Sequence, residues 1–87
     1  MGEDKEVNVQ TVGARLKNAR LRKALSQEDL AGVSGVPVVT ISRMENAPAG
    51  RQPRPSTVRK LADALEVDPG WLLFGDDDPV GKMPAAA

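Results

Sequence analysis

Apolar side chains recur along most of this chain at intervals of three and four, the period of a helix with one buried face, and nowhere alternate as a half-buried strand would. Val12, Leu16, Ala19 and Lys23 keep that spacing and predict a first helix over residues 12–24, with Thr11 as its cap. Arg15, Lys17, Arg22 and Lys23 mostly point away from the narrow stripe. The Ser26 hydroxyl can accept from the amide of Asp29, and the Glu28 and Asp29 carboxylates suit the positive end of a second helix. Leu30 and Ala31 face inward there. Ser34-Gly35 stops the helix, because glycine takes the left-handed conformation at low cost. A third helix is expected over residues 37–46, since proline is tolerated in a first turn whose amides have no helical partner. Val36, Ile41 and Met44 form its inner edge, which leaves Val38, Val39, Ser42 and Arg43 outside.

The proline-rich stretch "APAGRQPRP", residues 47–55, cannot be helical. Ser56 is expected to cap a fourth helix with the stripe Val58, Leu61, Ala62 and Leu65. Asp68-Pro69 opens a short fifth helix, where Trp71, Leu72 and Phe74 close the core. The pattern therefore predicts an all-α fold, a compact five-helix bundle with a central helix-turn-helix. It occupies residues 11–75, between a flexible arm at 1–10 and a frayed tail at 76–87.

Composition narrows the function. Eighty-seven residues suffice for one domain, and 40% hydrophobic with 28% charged residues is a globular balance. Aromatic residues are only 2%, so the core is built mainly from Leu, Val, Ala and Ile. No apolar run approaches the ~20 residues of a membrane helix, and the acidic start "MGEDKEVNVQ" does not read as a signal peptide. Cysteine and histidine are both absent, which removes disulfides, thiolate metal sites and the commonest general base. No nucleophile–base pair or carboxylate dyad stands out. Gly32, Gly35 and Gly50 are too far apart for a phosphate loop. The expectation is a cytoplasmic protein without metal or cofactor, and not an enzyme.

A net charge of zero hides an asymmetry. Residues 11–60 carry ten basic side chains against three acids, a net of +7, while residues 1–10 sum to −2 and residues 61–87 to −5. A basic block between acidic ends suits a polyanion on one face, although ordinary solvated helix faces would look the same. The third helix weighs in favour of the polyanion. Two short helices joined by a turn containing glycine fit a helix-turn-helix, whose second helix can enter the major groove of DNA. There Val38 and Val39 can pack on thymine methyls, Arg43 can donate a fork of hydrogen bonds to guanine, and Ser42 can bond to several base edges. The plainer alternative is that the valines meet a neighbouring subunit or are singly tolerated.

The pieces "RLKNARLRKALSQEDLA", "GVPVVTISRMEN", "RPSTVRKLADALEV" and "DPGWLLFG" follow one another in an order and spacing that resembles the Cro and lambdoid-phage repressor class of DNA-binding domains, also called the xenobiotic-response-element type. The resemblance covers residues 12–75, roughly three quarters of the chain. It implies a lambda repressor-like five-helix domain that binds operator half-sites as a homodimer. Val38, Val39, Ser42 and Arg43 fall on the family's base-reading positions. Gln27 falls where a side chain and amide clamp a phosphate, an anion that a helix N-terminus also favours. Thr40 falls near the DNA backbone, although its methyl can equally pack inward. Arg51 and Arg54 fall in or beside the loop that contacts phosphates. Arg20 and Glu45 match a structural salt bridge between the first and third helices, so Arg20 is set apart from the DNA contacts. For Arg15 and Lys17 a solvated face is the expectation. Two departures stand out: Pro37 replaces the Ser or Thr that often caps the third helix, and the loop "ENAPAGRQPRP" is longer than in compact relatives.

The resemblance thus implies a sequence-specific regulator of transcription, acting in the cytoplasm at the nucleoid and repressing by occluding polymerase. Its partners are a double-stranded operator and a second copy of the chain, with no membrane. A phage or plasmid repressor, a restriction–modification controller and an antitoxin all fit this size. A protein–protein interaction module that keeps the fold, with Val38 and Val39 as its contact patch for an unidentified protein partner, is the rival.

Overall fold

Thr11 caps the first described helix by accepting a hydrogen bond at Oγ1 from the amide of Ala14 at 3.0 Å, and helix α1 follows over Val12–Arg22. The structure, a computed structural model, describes residues 11–48 and 52–75. The expected arm, the expected tail and the middle of the proline-rich loop, including Arg51, lie outside the described residues. Four further helices follow: α2 at Gln27–Ser34, α3 at Val38–Glu45, α4 at Pro55–Leu65 and α5 at Pro69–Phe74, with no strand among the described residues.

Each helix end has a local cause. Ser26 and Asp29 form a reciprocal box, the hydroxyl accepting from the Asp29 amide and the carboxylate accepting from the Ser26 amide, both at 3.0 Å. Gly35 closes α2 with φ at +78°, and three residues later α3 is under way. Asp68 caps α5 by accepting from the Trp71 amide at 2.8 Å.

Sequence expectations are corrected at the end of α1, at the cap of α4 and at Phe74. Helix α1 stops at Arg22 rather than continuing to residue 24, because Ala24 turns left-handed at φ +58° and sends its amide back to the Leu21 carbonyl. Lys23 therefore leaves the stripe and pairs with Glu66 at 2.6 Å on the surface. Ser56 is not the cap of α4; Arg54 is, without a side-chain bond. Pro55 takes the first helical position, where its fixed φ and missing amide cost nothing, and it holds Arg54 extended. Phe74 does not close the core. Leu72 points inward, and two residues further round the helix Phe74 is 68% exposed.

The core runs through all five helices. Leu16, Leu30, Ile41, Leu61, Leu65 and Leu72 are wholly buried, with Val36, Met44, Val58 and Trp71 packed around them. Helix α1 lies on α3 and α5, α2 on α3 and α4, and α4 on α5. Burial of these side chains, at roughly 25 cal/mol per Å2 of apolar surface, is what holds α2 and α3 at a fixed angle.

Arg15 is the largest departure from expectation. It was expected on a solvated face, but it is 4% exposed. Its Nε donates to the Leu72 carbonyl at 2.9 Å and Nη2 to the Leu73 carbonyl at 2.8 Å. The last carbonyls of a helix have no partner within it, so a guanidinium from α1 supplies donors where the α5 dipole is negative. Burial pushes the Arg15 guanidinium below its ordinary pKa.

Candidate nucleic-acid interface

Helix α3 presents one bare side to solvent. Ile41 and Met44 are buried beneath it, while Val39 is 54% exposed, Val38 is 37% exposed and Arg43 is exposed. Ser42 and Thr40 are half-buried at the edges of the same side. Pro37 stands at the N-cap without any side-chain bond, and its carbonyl accepts from both Thr40 and Ile41 at 3.0 and 3.1 Å. The first-turn amides of α3 therefore have no side-chain cap.

Behind this face the C-terminal end of α3 is anchored by Glu45. Arg20 reaches it from α1 with a two-pronged contact, Nε to Oε2 at 2.6 Å and Nη2 to Oε1 at 2.9 Å. The third guanidinium nitrogen donates to the Leu25 carbonyl at 2.8 Å, so Arg20 also holds the approach to α2. Both side chains are nearly inaccessible, at 9% and 4%. The hydrogen bond to Glu45 holds the Arg20 guanidinium above its ordinary pKa, so Arg20 stays charged. Gln27, first residue of α2, joins by donating Nε2 to Glu45 Oε1 at 3.1 Å. A glutamine amide has two hydrogens, and this bond uses one.

Gly13 sets how closely α1 approaches that end of α3. A β-carbon there would overlap the Met44 carbonyl oxygen and stand 2.7 Å from the Glu45 carbonyl oxygen. Only hydrogen fits. Sequence reasoning passed over Gly13, because the carbonyls that exclude a side chain come from a distant helix.

Beside α3 opens a groove of about 670 Å3, bounded by the start of α1, the end of α3 and the start of α4. Thr40 and Arg43 form one wall, Thr11 and Arg15 another, and Arg54 and Thr57 a third. Arg54 is exposed, and no acidic residue among the described residues lines the groove. Gln52 and Thr57 were not singled out in the sequence; hydroxyls and amides at loop ends are too common to mark a site. Lys17 is exposed on α1, outside this groove. Thus Thr40, Arg43 and Arg54 are brought together, while Gln27 does not line the groove and instead bonds Glu45.

The family model for helix-turn-helix proteins matches residues 16–72. The chain belongs to the helix-turn-helix family. Within that family it is 36% identical over 66 residues to the transcriptional repressor RghR of Bacillus subtilis, covering 76% of this chain and 48% of RghR. The chain spans about half the length of that curated relative. Among solved structures it resembles the restriction–modification controller protein C.AhdI from Aeromonas hydrophila, with 34% identity, TM-score 0.65, and 75% and 96% of the two chains covered. It also resembles the P22 c2 repressor in complex with a synthetic operator, with 31% identity, TM-score 0.68, and 77% and 98% covered. The five-helix arrangement is that of these helix-turn-helix domains.

Proposed function

We propose that this helix-turn-helix chain is a sequence-specific DNA-binding regulator of transcription, a repressor that binds a two-fold operator as a homodimer in the cytoplasm. The observation that carries the reading is the α3 side with exposed Val38, Val39 and Arg43, continuous with a groove that holds arginines and, among the described residues, no carboxylate. A helix is the width of the major groove, and only its exposed N-terminal half needs to reach base edges. In this reading Val38 and Val39 meet thymine methyls, Arg43 forks onto guanine and Ser42 bonds to a base edge. Thr40, Arg51 and Arg54 bind phosphates.

Gln27 acts as a phosphate clamp. Glu45 holds one amide hydrogen, leaving the second, together with the first-turn amides of α2 that Ser26 does not occupy, for an anion. Arg20 and Glu45 are structural. That a similar domain, the P22 c2 repressor, is seen with a synthetic operator supports duplex DNA as the ligand.

Anisotropy titrations of a labelled duplex at several salt concentrations test this. Each phosphate neutralised contributes about 0.9 to the slope of log affinity against log salt. Arg54→Ala should weaken binding alike on every sequence and reduce the slope by about 1 per protomer. An unchanged slope would remove Arg54 from the contacts. No binding even at low salt would overturn the reading and make Val38 and Val39 a protein-docking patch.

A further inference from the structure

The chain leaves α5 at the wall of the arginine-lined groove. Leu73 lines that wall, and Gly75 lies so close to Arg15 that a β-carbon there would stand 2.7 Å from Nη1. Neither Arg43 nor Arg54 has an acidic partner among the described residues. The three residues that follow Gly75 are Asp76, Asp77 and Asp78. We propose that this acidic run docks in the groove and competes there with DNA phosphates, so that the chain carries its own electrostatic brake on DNA binding. The inference rests on the DNA-binding reading above for its consequence, but not for the docking itself.

Reach, charge and tethering support it. Three residues extend at most roughly 10 Å, so carboxylates starting one residue beyond Gly75 need no long detour. A single exposed carboxylate–arginine pair is worth little in water. A concave site lined by one sign of charge focuses the field, and a short tether keeps the acids at an effective concentration of order mM. The acidic segment at 1–10 enters at Thr11, also on the rim. Its nearest acid, Glu6, is five residues away, and Lys5 interrupts its three acids, so closing that loop costs more for a less concentrated charge. Because Thr40 and Arg43 belong to both the groove and the α3 side, an occupied groove and a docked duplex exclude each other.

The test uses the full chain and two readouts. Cysteine is absent, so Val80→Cys carries a single nitroxide label without removing an acid. Selective broadening of the Thr11, Arg43 and Thr57 amide resonances, reversed by high salt, is expected. Even, salt-insensitive broadening overturns the docking. Affinity for a duplex is then compared between Asp76→Asn/Asp77→Asn/Asp78→Asn and the charge-matched control Glu3→Gln/Asp4→Asn/Glu6→Gln. If the groove is occupied about 80% of the time, the first variant binds about fivefold tighter at low salt, a gain that fades as salt rises. The control should gain clearly less. Equal gains would reduce the effect to net charge and overturn the brake, and a larger gain from the control would hand the groove to the other acidic segment. Docking by the label in a chain that binds no duplex would sink the DNA reading and leave the docking standing.

Discussion

Glu45 is where the anchoring of α3 becomes dependent on one carboxylate: it takes both prongs of Arg20 and the amide of Gln27. Removing it leaves a guanidinium that is 9% accessible without a counter-charge. An uncompensated buried charge costs roughly 3–5 kcal/mol, most of the ~5 kcal/mol by which a small domain is stable. Glu45→Ala is therefore expected to unfold the chain at low urea, whereas Glu45→Gln, which keeps an acceptor for Arg20, should lose clearly less. A urea midpoint for Glu45→Ala within error of the parent would mean that Arg20 finds water instead. At this scale the candidate site was partly legible. Val38, Val39 and Arg43 stand outside because Ile41 and Met44 stand inside, a relation the helical period alone contains. Arg15 was not legible: its acceptors lie 57 and 58 residues further on, and an arginine beside a leucine looks the same whether it meets water or a helix end.

At the scale of elements, the close approach of α1 to the end of α3 competes with helix propensity. Gly13→Ala should gain about 1 kcal/mol from propensity. The β-carbon, however, meets the backbone carbonyls of Met44 and Glu45, which cannot swing aside as a side chain could. Overpacking of this kind costs about 1–3 kcal/mol or more, so sterics win. Gly13→Ala is expected to lower the thermal midpoint by several degrees, read by circular dichroism at 222 nm. A raised midpoint would show that α1 can tilt away freely. Helix existence and inner faces were legible from the stripes of α3 and α4 and from the caps at Thr11, Ser26 and Asp68. Helix ends were less so. Ala24 and Glu66 adopt left-handed φ of +58° and +61° without being glycine, because packing between helices imposes turns that local sequence does not announce. Ser56 reads as a cap until Pro55 claims the first helical position.

At the scale of the whole molecule, two surface carboxylates among the described residues shape the acidic side of the stability curve. Bonding to the Ser26 amide holds the Asp29 carboxyl below its ordinary pKa, and the hydrogen bond from Lys23 does the same for Glu66. A depressed folded value means the unfolded chain takes up the proton first. The stability these groups add is complete above their unfolded values of about 4 and is lost as pH falls through the lower folded values. With no histidine or cysteine, no side chain of ordinary pKa titrates between about pH 5.5 and 8. The thermal midpoint should therefore be flat over that range and fall below about pH 4; a change of several degrees between neutral and mildly acidic pH would contradict this.

The central claim, that α3 reads bases, is met most directly by selecting bound sequences from a random duplex library with the parent chain and with Arg43→Ala. The expected result is an enriched motif of two inverted half-sites about 34–36 Å apart, with one base preference per half-site lost in the variant. A chain that binds duplex yet enriches no motif, or a motif unchanged by Arg43→Ala, would contradict it.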